Sequence, residues 1–367
     1  MIKLLIADDS ALMRKLLGEI FAAEGDFEIR FARNGKEALD LAKSFQPDVV
    51  TLDVHMPEMN GLDCLNRIMI ESPRPVVMVS ALTDDGAQVT LQALDLGAID
   101  FVTKPAGPVS LEIDAMRPVL VETIRTAARA KLRKSLRLRD RVRHRMGQAK
   151  PAARSVSIQP APRRPPEPGP TEAAADIPGL ILIGASTGGP PAIEAVISKL
   201  PRDLAWPVLV AQHLPASFTG AFARRLDGLC GLRVVEVIQP TPLKAMHVYI
   251  GRGDADILVA PRPSGPIVLS APPAAEYPWH PSVERMVRSA LAHFPAAGLV
   301  GVMLTGMGSD GAPAMTRLKQ DGGRTIAEAE SSAVVWGMPG ELVKHGGADM
   351  VLPLGEIASA ILEMTCR

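Results

Sequence analysis

The chain has 367 residues, enough for two or three domains of the usual size of about 100 to 200. Lys+Arg and Asp+Glu both total 40, so no global field draws the protein to nucleic acid or to a membrane surface. The three cysteines, Cys64, Cys230 and Cys366, are too few and too scattered for a disulfide framework or a zinc site, and they suit a cytoplasmic protein.

The opening run MIKLLIADDS closes on two aspartates, which fits neither a signal peptide nor a membrane span. No later run reaches membrane length, so no membrane insertion is expected. Short apolar runs at Lys3 to Ala7, Phe27 to Arg30, Val49 to Leu52, Val76 to Ser80 and Ile99 to Val102 predict five strands alternating with helices, a parallel α/β domain over residues 1–125. Residues 126–177 read as a linker. Its first part extends the last helix as a solvated basic stretch, running from Arg125 to Arg145, and PAPRRPPEPGP then excludes helix and sheet because proline lacks an amide donor. A second α/β pattern, doubly wound and mostly parallel, fills residues 178–367. Its apolar runs include Leu180 to Ile183, Val208 to Ala211, Val234 to Val237, Val248 to Ile250, Ile257 to Val259, Ile267 to Leu269 and Leu299 to Leu304.

Asp8 and Asp9 follow the first predicted strand and Asp53 follows the third. In a sheet of order 2-1-3-4-5 these strands are neighbours, so three carboxylates meet outside their carboxyl ends. Bunched carboxylates repel unless a cation compensates, and an all-oxygen set suits Mg²⁺, beside which Asp53 can attack a phosphoryl donor. Ser80 after strand four can donate to a phosphoryl oxygen, and Lys104 after strand five supplies positive charge, with Pro105 fixing the turn. Each aspartate alone is better read as a loop or cap residue; the matched positions together reverse that preference.

IADDS, LDVHMPEMNGLD, VMVSALT and DFVTKP resemble the response-regulator receiver family, a flavodoxin-like (βα)5 fold, over residues 1–125. The resemblance implies phosphorylation of Asp53 by a histidine kinase, Mg²⁺ held by Asp8, Asp9, Asp53 and the Val54 carbonyl, and Ser80 with Phe101 as a switch pair.

In the second domain Gly184, Ser186 and Gly188 match G-x-S-x-G, a strand-to-helix bend that exposes a serine hydroxyl. The following helix is expected to turn amides near Thr187 and Gly188 toward charge developing beside Ser186, as an oxyanion hole or a phosphate cradle. GASTGG lacks the G-x-G-x-x-G spacing of a dinucleotide loop. The next run ends in Gln212 and His213, and the run from Leu299 leads into a loop carrying Asp310, so a serine, a general base and an orienting acid all fall beyond strand ends. A lone histidine there is more often structural. The decoy order Ser186, Asp310, His345 ranks behind, because Lys344 to Asp349 reads as a helix exit.

IGASTGGP, QHLPASFT, LTGMGSDG and VVWGMP resemble the catalytic domain of the chemotaxis protein-glutamate methylesterases. That implies hydrolysis of glutamyl methyl esters on chemoreceptor cytoplasmic helices, deamidation of receptor glutamines, no catalytic-domain cofactor, Met307 near the active site, and a receiver that blocks the esterase until phosphorylated. Trp279-His280-Pro281-Ser282-Val283-Glu284 departs from the family's H-R-P-S-V-D, with His280 for arginine and Glu284 for aspartate, and Arg252 stands where proline is common. Two rivals are a transcriptional regulator that binds DNA through the basic segment and a non-catalytic receptor-binding scaffold. The α/β second domain and scarce aromatics weigh against the first, so no nucleic-acid partner is expected, and the intact triad weighs against the second.

Overall fold

A computed structural model describes residues 1–80, 84–104, 109–130 and 177–366. They fall into two compact units, one on each side of the linker. The Pro-rich stretch and the basic segment beyond residue 130 lie outside the described residues.

In the first unit β1 (Ile2–Ala7), β2 (Phe27–Ala32), β3 (Val49–Asp53), β4 (Val76–Ser80) and β5 (Asp100–Thr103) form a parallel sheet in the order β2-β1-β3-β4-β5, as expected. Central β3 is buried on both faces, which is why VVTLD reads as a continuous run rather than an alternation. Helices α1 (Ala11–Glu24), α2 (Gly35–Ser44), α3 (Gly61–Glu71), α4 (Asp84–Leu96) and α5 (Val109–Arg129) fill the crossovers. Ser10, Asn34 and Asn60 cap the first three by accepting from the amides of Met13, Glu37 and Asp63, fixing the helix starts beside the carboxyl ends of the strands. Helix α5 continues past residue 125. Arg125 is not a solvated residue of a basic extension: its guanidinium pairs with Glu24 at 3.0 Å and Asp26 at 2.9 Å and lies over the Phe27 ring, tying α5 to the α1–β2 turn.

The second unit contains β6 (Leu180–Ala185), α6 (Gly189–Ile197), β7 (Val208–Gln212), α7 (Ala216–Leu229), β8 (Arg233–Val237), β9 (Thr241–Pro242), β10 (His247–Gly251), β11 (Asp256–Ala260), β12 (Ile267–Ala271) and α8 (Val283–His293). It closes with β13 (Leu299–Met303), α9 (Ala312–Gln320), β14 (Arg324–Glu328), α10 (Met338–Lys344), β15 (Met350–Leu352) and α11 (Leu354–Thr365). Seven strands form a parallel sheet in the order β15-β14-β13-β6-β7-β10-β8, and β11-β12-β9 form a small antiparallel sheet. Strands β14 and β15 go beyond the expected runs: RTIAE mixes charge with apolar residues, and β15 is only three residues long. From β6 the chain steps to β7 on one side and later returns to place β13 on the other. The order therefore reverses beside β6, and the crevice lies at the carboxyl ends of β6 and β13.

Candidate functional site

Ser186 directly follows β6 and is half-buried. Its backbone is fixed from three sides: its amide donates to the Thr305 carbonyl at 3.0 Å, and its carbonyl accepts from Gly189 N at 2.7 Å and from Gln212 Nε2 at 2.9 Å. Gly188 takes a left-handed φ of 74° that makes the bend, as the motif predicts. Gly184 has a different task. It lies within the strand, where a Cβ would come to 2.5 Å from Cγ1 of Val283; a Cβ on Gly311, across the crevice, would meet the same methyl. Helix α6 offers fewer amides than expected, since Gly189 N is committed to Ser186 and Pro190 and Pro191 have no N–H. The peptide groups of Thr187 and Gly188 precede the helix, and half-buried Met307 lies in the loop after β13.

His213 follows β7, the neighbour of β6, and its Nε2 lies 2.9 Å from Oδ2 of Asp310. Asp310, in the loop after β13, also accepts from Val283 N at 2.7 Å, Ser282 Oγ at 3.0 Å and Glu284 N at 3.1 Å. These are donors at the start of α8, where the helix dipole favours an anion. Burial raises the Asp310 carboxyl, but His213 and the Val283 and Glu284 amides outweigh it and hold the group below its ordinary value. An ionised Asp310 needs a proton on Nε2, which leaves Nδ1 as the acceptor nitrogen; Nδ1 is buried and has no hydrogen-bond partner. The imidazole is therefore polarised on one side and open to take a proton on the other.

Several residues of this arrangement escaped the sequence reading. Trp279 stacks on His213 with ring centroids 6.0 Å apart and planes at 7°, covering the imidazole. Buried Asp256 accepts from Ser282 N at 2.6 Å, from His280 Nδ1 at 2.9 Å and from Arg285, steadying the turn that holds Asp310. Glu284 accepts from Ala314 N at 2.8 Å and from Arg288 at 2.7 Å, so it joins the start of α9 to α8. Both departures at 280 and 284 thus serve the scaffold behind the acid. Ser282 caps α8 by accepting from Arg285 N at 3.3 Å, and nothing in the spacing linked it to Asp310. His345 is remote in role: it is the exposed C-cap of α10, followed by Gly346 and Gly347, whose amides close the helix.

In the first unit Asp8, Asp9 and Asp53 bring carboxylate oxygens within 4.8 Å of one another. Asp8 and Asp53 are buried and Asp9 is exposed. Lys104 bridges the buried pair, 2.9 Å from Asp8 and 2.8 Å from Asp53. Burial raises the Asp53 carboxyl, and the Asp8 charge adds to this, so the pull of Lys104 is outweighed. For Lys104 burial pulls downward, yet its two carboxylate partners hold it above its ordinary value. Phe101 is half-buried on β5. The Ser80 side chain and Pro105 lie outside the described residues. Among those residues no helix is long and apolar enough to cross a membrane, and all three cysteines are free.

Comparison with known proteins matches residues 181–361 to the CheB methylesterase family and residues 4–114 to the response regulator receiver domain. The chain is 60% identical over 369 residues to protein-glutamate methylesterase/protein-glutamine glutaminase 2 of Rhodopseudomonas palustris (strain BisB18), covering 99% of this chain and 98% of that protein. It is 50% identical over 361 residues to protein-glutamate methylesterase/protein-glutamine glutaminase 3 of Rhodospirillum rubrum, covering 98% and 95% respectively. It is also similar to the crystal structure of the Thermotoga maritima CheB methylesterase catalytic domain, with 32% identity, a TM-score of 0.49, and coverage of 51% of this chain and 98% of that one.

Proposed function

The chain belongs to the CheB methylesterase family, in the form that carries a receiver domain ahead of the esterase, and from that premise we propose how its own residues perform the hydrolysis. As a member it is a protein-glutamate methylesterase/protein-glutamine glutaminase acting in chemotactic adaptation. The substrates are glutamyl γ-methyl esters on the cytoplasmic helices of chemoreceptors, and particular receptor glutamines. Residues 178–367 carry the esterase, and residues 1–125 receive the phosphoryl group from a histidine kinase; the whole operates in the cytoplasm.

The observation that carries the reading is the His213–Asp310 pair with Nδ1 open, on a strand adjacent to that of Ser186. His213 Nδ1 takes the Ser186 proton as Oγ attacks the ester carbonyl, and Asp310 stabilises the imidazolium through Nε2. Peptide amides of the Thr187–Gly188 turn and of the Met307 loop stabilise the tetrahedral oxyanion. Collapse breaks the ester C–O bond, and His213 returns its proton to the methoxide oxygen, giving methanol. Water, deprotonated by the same nitrogen, then releases glutamate and restores Ser186. A glutamine side chain follows the same course with ammonia leaving.

In the receiver, the chemistry of the Asp8, Asp9 and Asp53 oxygens fits a hard divalent cation such as Mg²⁺. Bound there, it would neutralise charge on the transferring phosphoryl group. Asp53 supplies the nucleophilic oxygen, Lys104 steadies the acceptor and the phosphoryl oxygens, and Ser80 with Phe101 relays the change. The test is methanol release from methylated receptors with and without acetyl phosphate. Stimulation is expected only with Mg²⁺ present, and Asp53→Asn is expected to abolish the stimulation while leaving basal release intact. Equal stimulation of that variant would remove Asp53 from the role.

A further inference from the structure

Thr305 and Glu328 are both fully buried, though each carries polar groups that are costly to leave unpaired. Thr305 sits just past β13 and Glu328 ends β14, so both lie at the carboxyl edge of the sheet beside the crevice. Glu328 Oε2 accepts the Thr305 amide at 2.8 Å, and its Oε1 accepts Ser332 Oγ at 2.9 Å. The Thr305 carbonyl accepts the Ser186 amide at 3.0 Å. The Thr305 hydroxyl donates to the Thr187 carbonyl at 2.9 Å, with the Val335 carbonyl at 3.2 Å as the alternative acceptor, and itself accepts from Val335 N at 3.0 Å. One side chain thus joins the serine turn, the start of the acid loop and the segment before α10.

We propose that Thr305, anchored by Glu328, is a positioning residue for the nucleophile: it fixes the Ser186–Thr187 turn from beneath and so sets where the serine oxygen stands relative to His213. The inference rests on Ser186 being the nucleophile. The physical reason is geometric. The Ser186 backbone is held by its amide, which ends on Thr305, and by its carbonyl, which ends on Gln212 and Gly189. The peptide that follows Ser186 is held through Thr187, whose carbonyl ends on the Thr305 hydroxyl. Neither Thr305 nor Glu328 needs to touch substrate. Their effect falls on reaction rate, because a displacement of about 1 Å in a reacting group can cost about 100-fold.

Thr305→Val keeps the shape and removes the hydroxyl; Thr305→Ser keeps the hydroxyl. The full chain is treated with a fluorophosphonate that labels reactive serines, and both the rate constant and the final labelled fraction are read, with the site located by peptide mass spectrometry. Thr305→Val is expected to slow labelling by about tenfold or more while still reaching full occupancy, and to lower kcat for methanol release with KM unchanged. Thr305→Ser is expected to restore both. An unchanged rate constant, or a loss confined to the labelled fraction, overturns the proposal, since a purely structural role moves the amount of folded enzyme and not the rate of each molecule. Should Thr305→Val yield no folded protein, Glu328→Gln is read in its place, with slowed labelling expected and an unchanged rate overturning the role. If wild-type label maps to a serine other than Ser186, the nucleophile assignment fails first; label on Ser186 with no rate change sinks the positioning role alone.

Discussion

Replacing Ser186 with alanine is expected to lower methanol release from methylated receptors by about 10⁶-fold, the scale on which a serine nucleophile fails when its hydroxyl is removed. The structure separates this loss from misfolding. The turn is held by the Ser186 amide and carbonyl, through Thr305, Gly189 and Gln212, and all of those bonds survive in alanine. Melting temperature is therefore expected to stay close to that of the parent chain, and fluorophosphonate labelling to vanish. Methanol release within tenfold of the parent, in protein that melts normally, would remove Ser186 from the mechanism.

Asp310→Asn is expected to cost about 10⁴-fold in kcat. An asparagine amide turned toward His213 donates to Nε2, which forces the proton onto Nδ1, the nitrogen that must accept from Ser186. The carboxylate also serves four donors, two on each oxygen. Whichever way an asparagine lies, its NH₂ group faces a backbone amide of Val283 or Glu284, so the variant is expected to lose about 1–3 kcal/mol of stability as well. The pH dependence follows from the lowered carboxyl. Its contribution is complete above the ordinary value of 3.8 and disappears as pH falls through the lower folded value. The stability gap between parent and variant should therefore be widest near neutrality and narrow in acid. Thermal unfolding across pH 3 to 7 measures it (about four units), and a gap that widens toward acid would mean that Asp310 is neutral in the folded chain.

The placement of Ser186, His213 and Asp310 was legible because each lies just past an apolar run, and in a parallel sheet strand ends converge. What surrounds them was not. Asp310 is bonded to Ser282, Val283 and Glu284, and Thr305 to Glu328, through pairings set by the order β14-β13-β6, which no local pattern encodes. Glu328 in particular ends a short mixed strand that reads as polar and exposed until β14 is placed between β13 and β15. After Ser186 the first helical residues add no free donor, since Gly189 N is committed to Ser186 and Pro190 and Pro191 have none, which leaves the amides near Thr187 and Gly188 as the expected ones. In the receiver the acids and Lys104 were legible from strand ends, and Lys104 bridging two buried carboxylates is the added geometric fact.

The isopropyl group of Val283 fills the space that Gly184 and Gly311 leave for it, one on the serine strand and one in the acid loop. One valine side chain is therefore the spacer between the strand that leads to Ser186 and the loop that carries Asp310. Gly184, Val283 and Gly311 are far apart along the chain yet pack as one unit, so a larger residue at Gly184 is expected to need a smaller one at 283, while Gly311, at a φ of 83°, is strained by any side chain. The spacing of the two segments that carry Ser186 and Asp310 is thus set locally by an apolar side chain.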